Sequence, residues 1–320
     1  MARFLLQRLV SSIVSIIGAT LIIFILVQLH NDPRELYVPD SGYGLTQEQW
    51  ENLGEKMGFN DPLPVQYWNW ISGAFIGDFG VSLAQQVPVR EIIQRRMWAT
   101  IELAIGGWVL AIMIGIPIGV LAAVKRGTVW DYIGRALAIV GQGAPPFVIG
   151  LLLIVIFAVV LQDTWFELPA AGRPPVFSIK TYILPCVALG WPAAAGLMRL
   201  TRSAMLEVLD SEFVKLARAK GVGWNTVIYK HALKNALIIP LTSALLLFSG
   251  WLNGALVIEI IFGWPGIGYD ALFTAVNDND FPLLQGTVFF FVVIFVIFAL
   301  LADLLYTIID PRVRLTGGEK

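Results

Sequence analysis

Six apolar runs of about 20 residues or more limit what this chain can fold into more than any other feature. They cover residues 9–29, 100–124, 133–161, 182–200, 236–262 and 283–309. A helix of that length crosses the hydrocarbon core and satisfies its own backbone polar groups there. The expectation is therefore an all-α, polytopic membrane protein with six transmembrane helices. Composition agrees, with 57% hydrophobic and 14% charged residues against about 25% charged in soluble domains. The first run follows Arg3 and Arg8 but exceeds the roughly 7–15 apolar residues of a secretory signal, so it reads as a retained membrane helix. The third run is interrupted by Ala144-Pro145-Pro146, where a missing backbone donor predicts a kink or break.

Lys and Arg set the orientation. One side carries Arg3, Arg8, Lys125, Arg126, Arg135, Arg199, Arg202, the five loop cations Lys215, Arg218, Lys220, Lys230 and Lys234, and Arg312, Arg314 and Lys320, which is 15 of the 22. That side is expected to be cytoplasmic, with both termini inside. The opposite loops are rich in acid, among them Asp32, Glu35, Glu48, Asp270, Asp278 and Asp280. Residues 30–99 form an outer segment too long for a simple connector. Within it, Thr46-Gln47-Glu48-Gln49 with Trp50, Leu53 and Met57 predicts a capped amphipathic helix. A second short helix is expected from Pro88 to Met97, and Trp68, Trp70 and Phe75 are placed at the membrane interface.

Residues 212–240 cannot lie in lipid, because each charge at bilayer depth costs roughly 2.5–3.5 kcal/mol. Asp210 and Ser211 are placed to cap a helix starting near Glu212. Phe213, Leu216 and Ala217 make an apolar stripe, with Lys215, Arg218 and Lys220 largely off it. Gly221 suits the left-handed conformation that ends a helix. Two readings stand on composition alone: a helix that transmits a push from a partner, or an interfacial helix whose cations meet anionic lipid.

Polar groups inside spans are candidates for lining a translocation path. Glu259 is one; its alternatives are an interfacial position or pairing with Arg95 or Arg96. Asn253, Gln142 and Ser249 are others, with interhelical hydrogen bonding as the alternative. Gly115 and Gly119 flank Pro117 and read as close helix packing. Cys186 reads as a small buried residue. The chain has no phosphate-binding G-x-x-x-x-G-K-[ST] and no Cys/His metal set, and its two histidines, His30 and His231, fall on opposite sides of the membrane. No catalytic residue, metal ligand or nucleic-acid site is predicted.

The stretch from Thr201 to Leu209, TRSAMLEVL, followed by Glu212–Gly221, EFVKLARAKG, resembles the signature of ABC importer permeases, specifically the dipeptide/oligopeptide/nickel branch and its first-subunit type. HALKNAL from His231, FGWPGIG from Phe262, DFPLLQG from Asp280, Asp303-Leu304-Leu305-Tyr306 and Asp310-Pro311-Arg312-Val313-Arg314 extend the resemblance over nearly the whole chain. The broad family loop reads EAA, a glycine, then I-x-L-P. Here Lys215 replaces the glutamate, Leu216 the first alanine, His231 the isoleucine and Lys234 the proline, and the usual Pro-Gly-Asp-Pro after the first span is reduced to His30-Asn31-Asp32-Pro33.

The resemblance implies the type I ABC importer permease fold in a bacterial or archaeal plasma membrane. It implies that Glu212, Phe213, Lys215, Leu216, Ala217, Arg218, Ala219, Lys220 and Gly221 contact a cytoplasmic ATPase and couple its closure to the pore. It also implies a second permease, two ATPase subunits and an extracytoplasmic substrate-binding protein as partners, with ATP and Mg held by the ATPases rather than by this chain. The substrate class that the resemblance implies is a peptide, with oligosaccharides, nickel chelates and other solutes as alternatives within the branch. A stand-alone secondary transporter or channel is the rival class; it predicts inverted repeats or intramembrane charge pairs. The expected organisation is a tail and first span over 1–29, an outer subdomain over 30–99, a five-helix core over 100–314 with the coupling loop at 201–235, and a tail over 315–320.

Overall fold

The computed structural model describes residues 2–30, 46–174 and 177–309. Within its helices, the side chains of 2–5, 30, 53, 56, 57, 249–254 and 302–309 lie outside the described residues. The described residues form helices joined by turns and loops, with one isolated antiparallel bridge between Val81 and Pro88. In order these are α1 (Ala2–His30), α2 (Gln47–Met57), α3 (Leu63–Phe75), α4 (Val89–Val124), α5 (Val129–Gly143) and α6 (Pro146–Ile154), which widens into a π-helical end over Val155–Val160. Then come α7 (Ile179–Leu209), α8 (Glu212–Ala219), α9 (Trp224–Thr226), a π-helical stretch Val227–Ala232, α10 (Leu233–Ala236) and α11 (Ile238–Ile261). A third π-helical stretch, Gly268–Phe273, leads through α12 (Thr274–Asn277) to α13 (Phe281–Ile309).

Among the described residues four helices are long and apolar enough to cross a membrane alone: Leu6–Leu29, Val89–Val124, Ile179–Leu209 and Phe281–Leu301. Two bent pairs bring the number to six, if each is one span. The first pair, Val129–Gly143 with Pro146–Val160, turns by 105° where a straight third span would run. The cause is local. A residue before proline is pushed out of the helical region, and Ala144 is extended at φ −98°, ψ 124°. Pro145 is extended too, and Pro146 then occupies the first helical position, where it has no donor to lose. The second pair, Trp224–Ala236 with Ile238–Phe248, bends by only 43°.

The capped helix expected after Thr46 is α2. Thr46 accepts from the Gln49 backbone, and the Gln49 side chain accepts from the Thr46 backbone. The separate helix expected over 88–97 does not exist as such. Those residues are the first turns of α4, which runs 36 residues because no proline interrupts it before Pro117.

The chain divides into two compact units, each with its own cores. The first contains Met1–Trp98 and Gly266–Val296. It joins to the N-terminal segments a stretch that the sequence reading assigns to the five-helix core. Its aromatic centre is Phe289, edge-on to Trp70 and Phe75 and tilted against Phe79. Asp280 is fully buried and caps α13, accepting from the Leu283 amide at 3.1 Å, from the Ala84 amide at 3.2 Å and from the Ser82 hydroxyl. Arg96 pairs with Asp270 at 2.6 Å. Trp70 packs in the aromatic cluster, whereas Trp68 and Phe75 are exposed.

The second unit contains Ala99–Pro265 and Ile297–Lys320. Its axis is the contact of α4 with α7, set by glycine. A Cβ on Gly190 would lie 2.5 Å from the Gly107 carbonyl oxygen, and one on Gly115 2.7 Å from that of Ala194. Gly119 faces the Met198 carbonyl and Thr201 at 2.7 Å. The helices therefore touch backbone to backbone, as small residues permit in lipid. Cys186 is buried in the same core.

Candidate functional site

The short helix α8 follows α7 after a two-residue turn, Asp210 and Ser211. Ser211 stands at the N-cap, but its hydroxyl donates back to the Val208 carbonyl and makes no cap bond to α8. Glu212 occupies the first turn, where a carboxylate suits the helix dipole. The other end is closed by Gly221 at φ +77°. Its amide donates to the Arg218 carbonyl at 2.9 Å and the Val222 amide to that of Ala217 at 3.2 Å. This is the paired bonding of a glycine-terminated helix.

One face of α8 is fixed and the other is free of the fold. Val214 is completely buried, and α8 rests on the π-helical stretch Val227–Ala232 and the end of α7. Behind them lies a core of Ala204, Met205, Ile228, Ala232 and Ala236. Phe213 is 46% exposed, Leu216 58%, and Ala217 is partly covered. Trp224 and Tyr229 are also exposed. Arg218 lies over the Trp224 ring at 5.3 Å, a cation–π contact that also stiffens the turn. Lys215 donates to Glu212 at 2.7 Å, which raises its pKa above the ordinary lysine value. Ala219, Lys220 and Gly221 are exposed. The nine residues singled out from the sequence thus form one solvent-facing element. The residue that seats it, Val214, was not among them; apolar residues at 213, 214, 216 and 217 make two stripes, and spacing alone does not say which faces in.

The four pathway candidates do not come together in this way. Glu259 is completely buried, and its carboxylate accepts from the Thr100 hydroxyl at 2.6 Å. It therefore faces α4 in the core of the second unit rather than an open path. The alternative partners Arg95 and Arg96 are bound to Glu91 and Asp270. Gln142 is exposed at the end of α5, beside Gly196 of α7. Ser249 and Asn253 lie on α11, but their side chains are outside the described residues.

Two ion-pair clusters in the second unit have partners that sequence reasoning did not supply, although Glu102, near a span end, is expected to snorkel or pair. At one end of the bundle, Asp131 is buried at the start of α5 and receives Arg202 of α7 through two bonds of 2.7 and 3.0 Å. The Gly127 amide donates to it at 3.0 Å, and Arg135 approaches to 3.5 Å. In the second cluster, Arg173 forks onto Glu102 at 3.0 and 2.9 Å, and Tyr182 donates to the same carboxylate at 2.8 Å. The hydrogen bond to Glu102 raises the pKa of Arg173 further. Trp264 donates to the Ala99 carbonyl at 2.9 Å and meets Tyr182 edge-on. Phe262 and Trp264, at the start of FGWPGIG, are therefore buried anchors within this unit. Only Asp131 at an i, i+4 spacing from Arg135 hinted at the first cluster; its partner Arg202 lies 71 residues away.

Six apolar segments, a glycine-packed helix pair and a basic surface helix between the fourth and fifth segments are the parts of an ABC importer permease, a multi-pass protein of the inner membrane. Residues 115–315 match the family described as binding-protein-dependent transport system inner membrane component, and residues 1–104 match the N-terminal part of such components. The chain belongs to this family. It is 37% identical to the dipeptide transport system permease protein DppB of Alkalihalophilus pseudofirmus, over 98% of this chain and 100% of that relative. It is 36% identical to the glutathione transport system permease protein GsiC of Salmonella choleraesuis, over 98% of this chain and 99% of the relative. The fold is shared with inward-facing structures of the MetNI methionine ABC transporter, at a TM-score of 0.55, 17% identity, and coverage of 68% of this chain and 96% of that one.

Proposed function

We propose that this permease forms half of a translocation path for peptides and takes its drive from an ATPase docked on α8. The observation that carries the reading is the division of α8 into a seated face and a bare apolar face. Val214 holds the helix to α7 and the Val227–Ala232 turn, while Phe213 and Leu216 project outward. A groove on an ATPase subunit gives those two side chains apolar cover, and Arg218 and Lys220 supply charge for an acidic rim. The excess of Lys and Arg in the loop that carries α8 and near both termini supports a cytoplasmic location for all three. The remaining partners are a second permease, a second ATPase subunit and an extracytoplasmic binding protein. ATP and Mg belong to the ATPases, and this chain is the non-catalytic subunit. A peptide substrate is supported by the dipeptide and glutathione systems named for its relatives.

The test is to replace Phe213 and Leu216 together by Asp. Both are exposed, so the change leaves the core intact. The expected result is a folded permease that no longer retains ATPase subunits on purification and no longer supports peptide uptake. Full ATPase retention with normal uptake would remove α8 as the docking element.

A further inference from the structure

We propose that a cavity between α4, α5 and α7 binds the phosphate of an anionic phospholipid. The cavity has a volume of about 220 Å³ and is lined by Arg135, Arg199 and Arg202 together with Ile118, Ile139 and Met198. Three guanidinium groups meet one carboxylate, Asp131, so the site carries two net positive charges. Asp131 is engaged chiefly by Arg202, in a two-bond contact, and reaches Arg135 only at 3.5 Å. Arg199 is exposed and has no ion-pair partner among the described residues. It stands one turn back from Arg202 on α7, as Arg135 stands one turn on from Asp131 along α5. Because Asp131 and Arg202 are bonded, those two turns bring Arg135 and Arg199 to the same level on either side of the cavity.

Uncompensated cations on membrane-crossing helices are costly unless they reach the headgroup layer. The surroundings fix that level. Trp130 and Tyr132 are exposed on the first turn of α5, and the Arg135 guanidinium lies 4.6 Å from the Tyr132 ring centre. Exposed Trp and Tyr mark the membrane–water interface. One to two turns further along α5, Ile139 and Val140 present an exposed apolar surface. A phosphodiester held by planar guanidinium forks, with its acyl chains over Ile139 and Val140, matches this order of charge, aromatic and aliphatic groups. A free phosphate ion matches the charge but leaves the apolar lining without a partner. Basic pockets between membrane helices select anionic headgroups for the same reason.

The experiment uses the whole importer, purified with its partner subunits and placed in nanodiscs of equal parts phosphatidylcholine and phosphatidylglycerol. Native mass spectrometry after partial delipidation counts the retained lipids. Wild type should keep phosphatidylglycerol in preference to phosphatidylcholine, and R135Q/R199Q should lose that preference by roughly thirtyfold. R135K/R199K, which keeps the charge, should retain most of it and controls for misfolding. Equal retention by wild type and R135Q/R199Q overturns the proposal. Displacement of the lipid by millimolar inorganic phosphate also overturns it, and assigns the site to a soluble anion.

Discussion

Replacing Gly221 separates the conformation of the α8 terminus from every other property of the fold. A Cβ there meets nothing within 4 Å, while the backbone sits at φ +77°. Any substitution therefore acts through backbone strain alone. A left-handed L-residue costs roughly 1–2 kcal/mol, with Asn the least penalised and β-branched residues the most. G221N should then cost a few tenths of a kcal/mol, G221A about 1 and G221V about 2. A penalty of 1–2 kcal/mol lowers the population of the closed helix end by about 5- to 30-fold. The bonds from Gly221 to Arg218 and from Val222 to Ala217 are the ones lost. Uptake of a labelled peptide into vesicles bearing the intact importer should follow wild type ≈ Asn > Ala > Val. The melting temperature should stay nearly level, since the buried cores lie elsewhere. Wild-type uptake by G221V, or loss in G221N as deep as in G221V, would refute the reasoning.

Two further predictions concern the frame that carries α8. G190A drives a Cβ to 2.5 Å from the Gly107 carbonyl oxygen and should destabilise by about 1–3 kcal/mol, whereas G18A, which meets nothing within 4 Å, should be neutral or add up to about 1 kcal/mol of helix stability; thermal unfolding followed by size exclusion compares them, and equal melting of G190A and wild type would contradict the close approach. D131N removes the counter-ion of Arg202 while keeping its shape and should cost about 2–3 kcal/mol, below the range for a fully buried pair because Arg202 is 23% exposed. In a double-mutant cycle with R202Q, part of that loss should disappear, and strictly additive losses would show that the two residues do not act as a pair.

The gross architecture was legible because lipid leaves few alternatives. An apolar run of sufficient length is a helix, and Pro145-Pro146 breaks one wherever it occurs. The cap at Thr46 and the stop at Gly221 were legible for a similar reason, since each depends on neighbours three or four residues away. The first turns of α4 were misread as a separate helix because charge at Arg90, Arg95 and Arg96 ends a hydrophobic run without ending a helix. Long-range pairs were not legible at all. Asp131 with Arg202, and Glu102 with Arg173, join residues 71 apart in each case, and no local pattern marks either carboxylate as shared. Glu259 illustrates the cost of that blindness. A lone acid in a span reads as a path-lining group until its partner, Thr100, 159 residues away, places it in a packed core.

The double apolar pattern of α8 is itself informative. An eight-residue helix gains little from its own hydrogen bonds and depends on packing for its order. Seating Val214 uses one stripe, and a solitary protein would place polar residues on the other. Phe213 and Leu216 instead stand exposed, as do Trp224 and Tyr229, within a loop already rich in cations that lipid tails exclude. Lipid headgroups satisfy those cations but give poor cover to a phenylalanine and a leucine on a helix outside the spans. A protein groove covers both side chains and leaves the cations at its rim. Of the two readings that composition left open, that asymmetry supports the docking helix proposed above, and it does so on α8 alone. The arginines around Asp131, on helices of the candidate spans, meet the opposite conditions, and there a lipid phosphate is the occupant proposed above.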